Sequence, residues 1–151
     1  MSENLEDKVS FKFPKEERLH HRSLVEGLFR SGKSFYEFPF RVTWRTLSSE
    51  QLEKTFCNHT PEGIGRLQMM VTVPKKKRKR AVDRVLLRRR IREAYRLTYL
   101  PLLEAMQRRS DLRTLAIGLV YIHNENLPYH HIEEKMKQVT GKLMKLISRE
   151  N

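Results

Sequence analysis

A single cysteine, Cys57, is the whole thiol content of the chain. An internal disulfide and any cysteine-based zinc site are therefore excluded. No apolar run approaches the roughly 18 residues that a membrane-crossing helix needs. The opening stretch, MSENLEDKVSFKF, is polar and partly acidic, so it does not read as a secretory signal. Apolar residues make up 38% of the 151, few for a globular chain but too many for a wholly disordered one. No glycine-rich phosphate loop is present, and no pair of carboxylates stands in a recognisable acid–base or metal motif. His20-His21 and His130-His131 are adjacent pairs near helix starts. Neighbours on a helix do not face each other, so neither pair makes a two-histidine metal site. Cys57 and His59 fall in a polar loop with no role assigned. Acids are scarce: 18 Asp and Glu against 31 Lys and Arg, for a net charge of +13. These absences leave a small, soluble, intracellular, basic protein whose expected partner is a polyanion, either nucleic acid or an anionic membrane surface.

The positive charge is concentrated. Lys75, Lys76, Lys77, Arg78, Lys79, Arg80, Arg84, Arg88, Arg89, Arg90, Arg92 and Arg96 lie in one stretch of 22 residues with only Asp83 and Glu93 against them. That stretch holds ten of the thirteen net charges. Such a density of like charge is costly unless a partner neutralises it, and a merely soluble surface would spread it.

Along the chain, residues 1–12 read as a flexible arm, and 13–151 as one domain. Leu24, Val25, Leu28 and Phe29 mark one face of a helix over about Leu19 to Phe29, with Gly32 as its stop. Phe35 to Leu47 alternates as a half-buried strand, and Pro39 places its start at an edge or bulge. The polar stretch 48–65 reads as a long hairpin connection to a second strand, Arg66 to Val73. A basic turn then leads into a helix from Ala81 to about Leu103, which Pro101 must kink or end. Leu115 to His123 is an apolar strand expected at the sheet centre. After the turn Asn124–Pro128, a last helix runs to Ile147 with Ile132, Met136, Val139, Leu143 (or Met144) and Ile147 inward. The reading is an α+β chain with a mixed sheet of about four strands, packed by helices.

At about 100° per residue, Leu87, Ile91, Ala94, Tyr95 and Thr98 share the buried side of the basic helix. Arg88, Arg92 and Arg96 climb the adjacent face, with Arg89 nearby and Arg84 at the border. Guanidinium groups grip phosphate with two donors and stack on bases, which suits structured RNA. Glu93 is the ladder's one acidic neighbour, so it neutralises itself poorly. Asp83 balances charge or caps the helix. The run PKKKRK also matches a nuclear-localisation patch, but it sits inside the domain between a strand and a helix.

Several pieces of this sequence, taken together, resemble the bacterial ribonuclease P protein component. They are Val73-Pro74-Lys75-Lys76, Ala81-Val82-Asp83-Arg84 and Arg88-Arg89-Arg90-Ile91-Arg92-Glu93-Ala94-Tyr95-Arg96. The segment Phe13 to Leu19, Gly32-Lys33-Ser34 and Phe40-Arg41-Val42 add to it, so the resemblance covers about residues 13–147. The family's basic helix usually begins Arg-Asn-Arg; here Arg84 matches the first, while Val85 and Leu86 replace the other two. The resemblance implies a compact α/β sandwich like the second domain of ribosomal protein S5, with a left-handed β-α-β crossover against the general right-handed rule. It implies a cytoplasmic subunit that binds a catalytic RNA and the 5′ leader of precursor tRNA, assisting endonucleolytic removal of the leader. The RNA would hold the Mg²⁺ ions and do the chemistry, with no catalytic residue, cofactor or metal on the protein. No membrane and no obligate protein partner are implied. The RNA-binding residues are then Lys75, Lys76, Lys77, Arg78, Lys79, Arg80, Arg84, Arg88, Arg89, Arg92 and Arg96.

A cleft between the sheet and the first helix is the implied site for the leader. Single strands are gripped by aromatic platforms beside positive charge, and Lys33, Tyr36, Phe38, Phe40 and Arg41 are the candidates. Phe40, Val42 and Trp44 have core as their competing reading, and Phe29 reads as core more than as cleft floor. Three other functions fit the charge: a structural or ribosomal RNA-binding protein, a protein-only nuclease, and a DNA-binding nuclear protein.

Overall fold

The computed structural model describes residues 15–149; the arm read over residues 1–12 lies outside them. A short 3-10 turn at Lys15–Glu17 precedes helix α1 (Arg22–Ser31). Strands β1 (Lys33–Glu37) and β2 (Phe40–Leu47) follow, then helix α2 (Ser49–Thr55) and strand β3 (Leu67–Thr72). Helices α3 (Ala81–Thr98) and α4 (Leu100–Gln107), strand β4 (Thr114–Tyr121) and helix α5 (Tyr129–Arg149) complete the chain.

The sheet order is β1-β2-β4-β3. β1 and β2 form an antiparallel hairpin in which Tyr36 faces Arg41 and Lys33 faces Trp44. β2 runs antiparallel to β4, and β3 parallel to β4. The stretch 35–47 holds two strands, the four-strand count that the sequence suggests, reversed at Phe38-Pro39, where the peptide bond is cis; one expectation changes. The connection 48–65 does not close a hairpin, because β4 inserts between β2 and β3. It also holds α2, whose start is a capping box: Ser48 Oγ accepts from Gln51 N–H (3.2 Å), and Gln51 Oε1 accepts from Ser48 N–H (2.8 Å). That box supplies acceptors for two of the donors a helix N-terminus leaves unpaired. Pro101 acts as read, since α3 ends at Thr98 and Pro101 sits in the first turn of α4, where a missing N–H is harmless.

Alternation sorts the strands into two faces. Phe40, Val42, Trp44, Leu67, Met69, Leu115, Ile117, Leu119 and Tyr121 pack against Leu87, Ile91 and Tyr95 of α3, Leu102 and Met106 of α4, and the predicted stripe of α5. On the opposite face Leu47 and Ala116 join Leu24 and Leu28 of α1 with Leu52 and Ile64. β4 is buried on both sides, which explains its unbroken apolar run. Gly118 lets α1 lie close: a Cβ there would stand 2.9 Å from Phe29 Cζ and 3.2 Å from Leu28 Cδ2.

Gly32 turns the chain from α1 into β1. A Cβ there would run into the Leu28 carbonyl oxygen and stand 3.0 Å from the Trp44 carbonyl oxygen. Both obstacles are backbone and cannot swing away. Gly32→Ala is expected to lower stability by about 1–3 kcal/mol, as overpacking does. The check is urea unfolding, with a lower midpoint and an unchanged slope.

Candidate RNA interface

The basic turn is held by its own arginines. Lys77 and Arg78 N–H groups donate to the Pro74 carbonyl (3.0 and 3.1 Å). The Arg78 guanidinium donates to the Asn124 carbonyl and, at 3.1 Å, to Asp83 Oδ2. Asn126 Nδ2 donates to Asp83 Oδ1 at 3.0 Å. The Asn126 amide first, and then the Arg78 and Arg80 charges, hold the Asp83 carboxyl below its ordinary range. Asp83 lies in the first turn of α3 and balances charge; the N-cap is Arg80. Arg84 Nη1 donates to the Arg78 and Lys79 carbonyls (3.0 and 2.7 Å). Arg78 and Arg84 are thus partly spent on shaping the turn, while Lys75, Lys76, Lys79 and Arg80 stand exposed and Lys77 half-buried.

On α3 the inward side is as expected: Leu87, Ile91, Ala94, Tyr95 and Thr98 are buried. Arg89 and Arg92 point to solvent and Arg88 is half-buried. Burial first, then the nearby Arg88 and Arg18 guanidiniums, push the Arg92 pKa down. Cations crowded this way welcome an anion. Arg96 is engaged by Glu93 through two hydrogen bonds, one of 3.2 Å. Arg90 Nη1 donates to the Leu127 carbonyl at 2.7 Å, tying α3 to the turn before α5. Val85 and Leu86 are both exposed, so the two departures from the family pattern fall on the outer surface.

The leader-cleft candidates separate. Tyr36 and Arg41 are cross-strand partners on the α1 side of the sheet, and Tyr36 is 69% exposed. Arg41 Nε is buried and makes no hydrogen bond to the protein. Phe29 of α1 is 43% exposed on the same side of the sheet, its ring against Gly118. The apolar spacing of α1 placed Phe29 in the core; its ring sits at the edge of the helix contact. Phe38 lies in the β1–β2 turn, 49% exposed, edge-on to His123 at 4.9 Å. Phe40 does not belong to the cleft: it is 0% exposed and packs edge-on against Tyr121. Lys33 also leaves it, since alternation turns it to the α5 side, where its Nζ lies 5.4 Å from the Trp44 ring centre.

Among the described residues, no group of three or more His, Cys, Asp and Glu could hold a metal ion, and no helix is long and apolar enough to cross a membrane. An arginine-lined helix packed over one face of a mixed sheet, with Tyr36 and Arg41 paired on the other face, defines a small, basic α+β protein built to meet a polyanion.

The profile of the Ribonuclease P family matches residues 13–144. The ribonuclease P protein component of Porphyromonas gingivalis strain W83 is 32% identical over 129 residues, which is 85% of this chain and 83% of the relative. That of strain ATCC 33277 is 32% identical over 130 residues, 86% and 84% of the two chains. The Staphylococcus aureus RNase P protein superposes with a TM-score of 0.56 at 16% identity, covering 83% of this chain and 94% of that one; the likeness is one of fold. The chain belongs to the ribonuclease P protein family. With that membership come a place in a tRNA-processing ribonuclease and an RNA partner.

Proposed function

We propose that residues 13–151 form one RNA-binding domain that acts, in the cytoplasm, as the protein subunit of a ribonuclease P whose RNA subunit is catalytic. The exposed lysines of the turn 75–80 and Arg88, Arg89 and Arg92 hold that RNA by its phosphates. Tyr36, Phe38, Arg41 and Phe29 hold the 5′ leader of precursor tRNA, by stacking and by charge. Mg²⁺ bound by the RNA supplies the hydrolytic chemistry, and the protein contributes affinity and position. The observation that carries this reading is the two-sidedness of α3: Leu87, Ile91, Ala94, Tyr95 and Thr98 are buried, while Arg89 and Arg92 face solvent just after the exposed Lys75, Lys76, Lys79 and Arg80.

The test is cleavage of precursor tRNA by a bacterial ribonuclease P RNA at low Mg²⁺, with and without the protein. Stimulation is expected, with the protein inactive alone. Tight RNA binding without stimulation would instead favour a structural RNA-binding protein. The cleft has its own prediction. Tyr36→Ala raises KM for precursor tRNA about 5- to 100-fold, the worth of one stacked base. A substrate with a one-nucleotide leader, too short to reach the cleft, is unaffected.

A further inference from the structure

A second cationic surface lies away from α3. A groove of about 490 Å³ runs between β1 and the C-terminal half of α5, lined by Glu37, Gln138, Lys142, Lys145, Leu146 and Arg149 among others. Lys142 Nζ stands 4.5 Å from the Phe35 ring centre, and Lys33 Nζ stands over the cross-strand Trp44. Lys33 and Phe35 are two residues apart on β1, so they share the side facing α5. Residues 135–149 carry five basic side chains and no acid.

Lys142 and Lys145 are three residues apart, and Lys145 and Arg149 four, so all three lie along one side of α5. Like charges at this spacing repel and weaken a helix unless something neutralises them. Attraction to the helix dipole accounts for Arg149 in the last turn; it fades before Lys142, two turns earlier. A lysine already held over an aromatic ring loses less freedom on meeting an anion than one waving in water. Among the described residues that line the groove Glu37 is the one acid, which places an anion nearer Lys145 and Arg149.

We propose that this groove is a second phosphate-binding surface for RNA, taking a backbone segment of the same RNA that α3 holds; it rests on the reading of the chain as an RNA-binding subunit. α3 contacts β3 and α5 contacts β1, so the two surfaces sit toward opposite edges of the sheet. Three strand spacings, about 14 Å, separate those edges. One folded RNA that touches both would grip the protein across its width and fix its orientation.

The experiment compares full-length wild type, Lys142→Gln/Lys145→Gln and Arg88→Ala for binding to ribonuclease P RNA over a salt series. Glutamine keeps helix propensity and length on an exposed face, and a thermal melt confirms that the double variant is folded. The expected result is about tenfold weaker binding by the double variant. Its log–log salt slope should be shallower by about 1.4 for a single-stranded contact or about 1.8 for a duplex one. Arg88→Ala with weakened binding, beside a double variant with unchanged affinity and slope, overturns the groove alone. A wild-type protein that does not bind the RNA overturns both readings.

Discussion

Arg88→Ala/Arg92→Ala is expected to bind ribonuclease P RNA about 10- to 100-fold more weakly, roughly a kcal/mol or more from each lost phosphate contact. Its melting temperature should stay within about 2 °C of wild type, the usual reach of an exposed substitution, and any change should be upward. The reason is electrostatic. Burial first, and then the charges of Arg88 and Arg18, already work against the Arg92 charge, so truncation relieves the folded protein of both. The lost contacts also make binding less sensitive to salt. A sharp fall in melting temperature with RNA affinity intact would show that these side chains support the fold and not the interface.

Arg66→Met is expected to do the reverse. Arg66 Nη2 reaches the carbonyl oxygens of Met106, Arg109 and Leu112, the latter two at 3.1 Å. These groups close the end of α4, where helical carbonyls lack partners of their own. Removing the guanidinium strips the Leu112 carbonyl of its donor, while the Met106 and Arg109 carbonyls keep only the backbone N–H groups of Arg109 and Leu112, at a cost of about 1–3 kcal/mol. For a chain of this length that is a drop of about 2–12 °C in melting temperature. Protein that remains folded should bind RNA as wild type does. Calorimetry and RNA titration on the same preparation decide it; an unchanged melt would remove Arg66 from the structural set.

The two variants show why net charge alone misassigns arginines. The basic stretch was legible because like charge at high density has few structural uses, and the buried side of α3 followed from helical spacing. What spacing does not show is which guanidiniums turn back onto the chain. Arg78 and Arg84 reach carbonyls of their own turn and of residue 124, and Arg90 reaches Leu127. Those choices depend on where the turn before α5 folds back. The sheet order was hidden for a related reason. β4, more than forty residues after β3, decides that β2 and β3 are not neighbours, and no local signal carries that pairing. Helix α2 was legible in principle, since Ser48 and Gln51 have the spacing of a capping box. Phe40 and Lys33 moved out of the leader cleft because the reversal at Pro39 separates β1 from β2, so an alternation counted through it mixes two faces.

The segment before α1 has a further consequence. Leu19 N–H donates to the Met69 carbonyl at 3.0 Å, Arg18 bridges to Met69 in parallel, and both Gly65 N–H and Gln68 Nε2 donate to the Glu16 carbonyl. The outer rim of β3 is thereby covered at Met69 by the protein's own chain. The other rim, β1, is only five residues long and begins and ends on a charged residue. Exposed strand rims are where folded proteins stick to one another, and short, charged or covered rims resist it. Together with the like-charge repulsion of a +13 net charge, the two rims leave little open strand for one copy to pair with another.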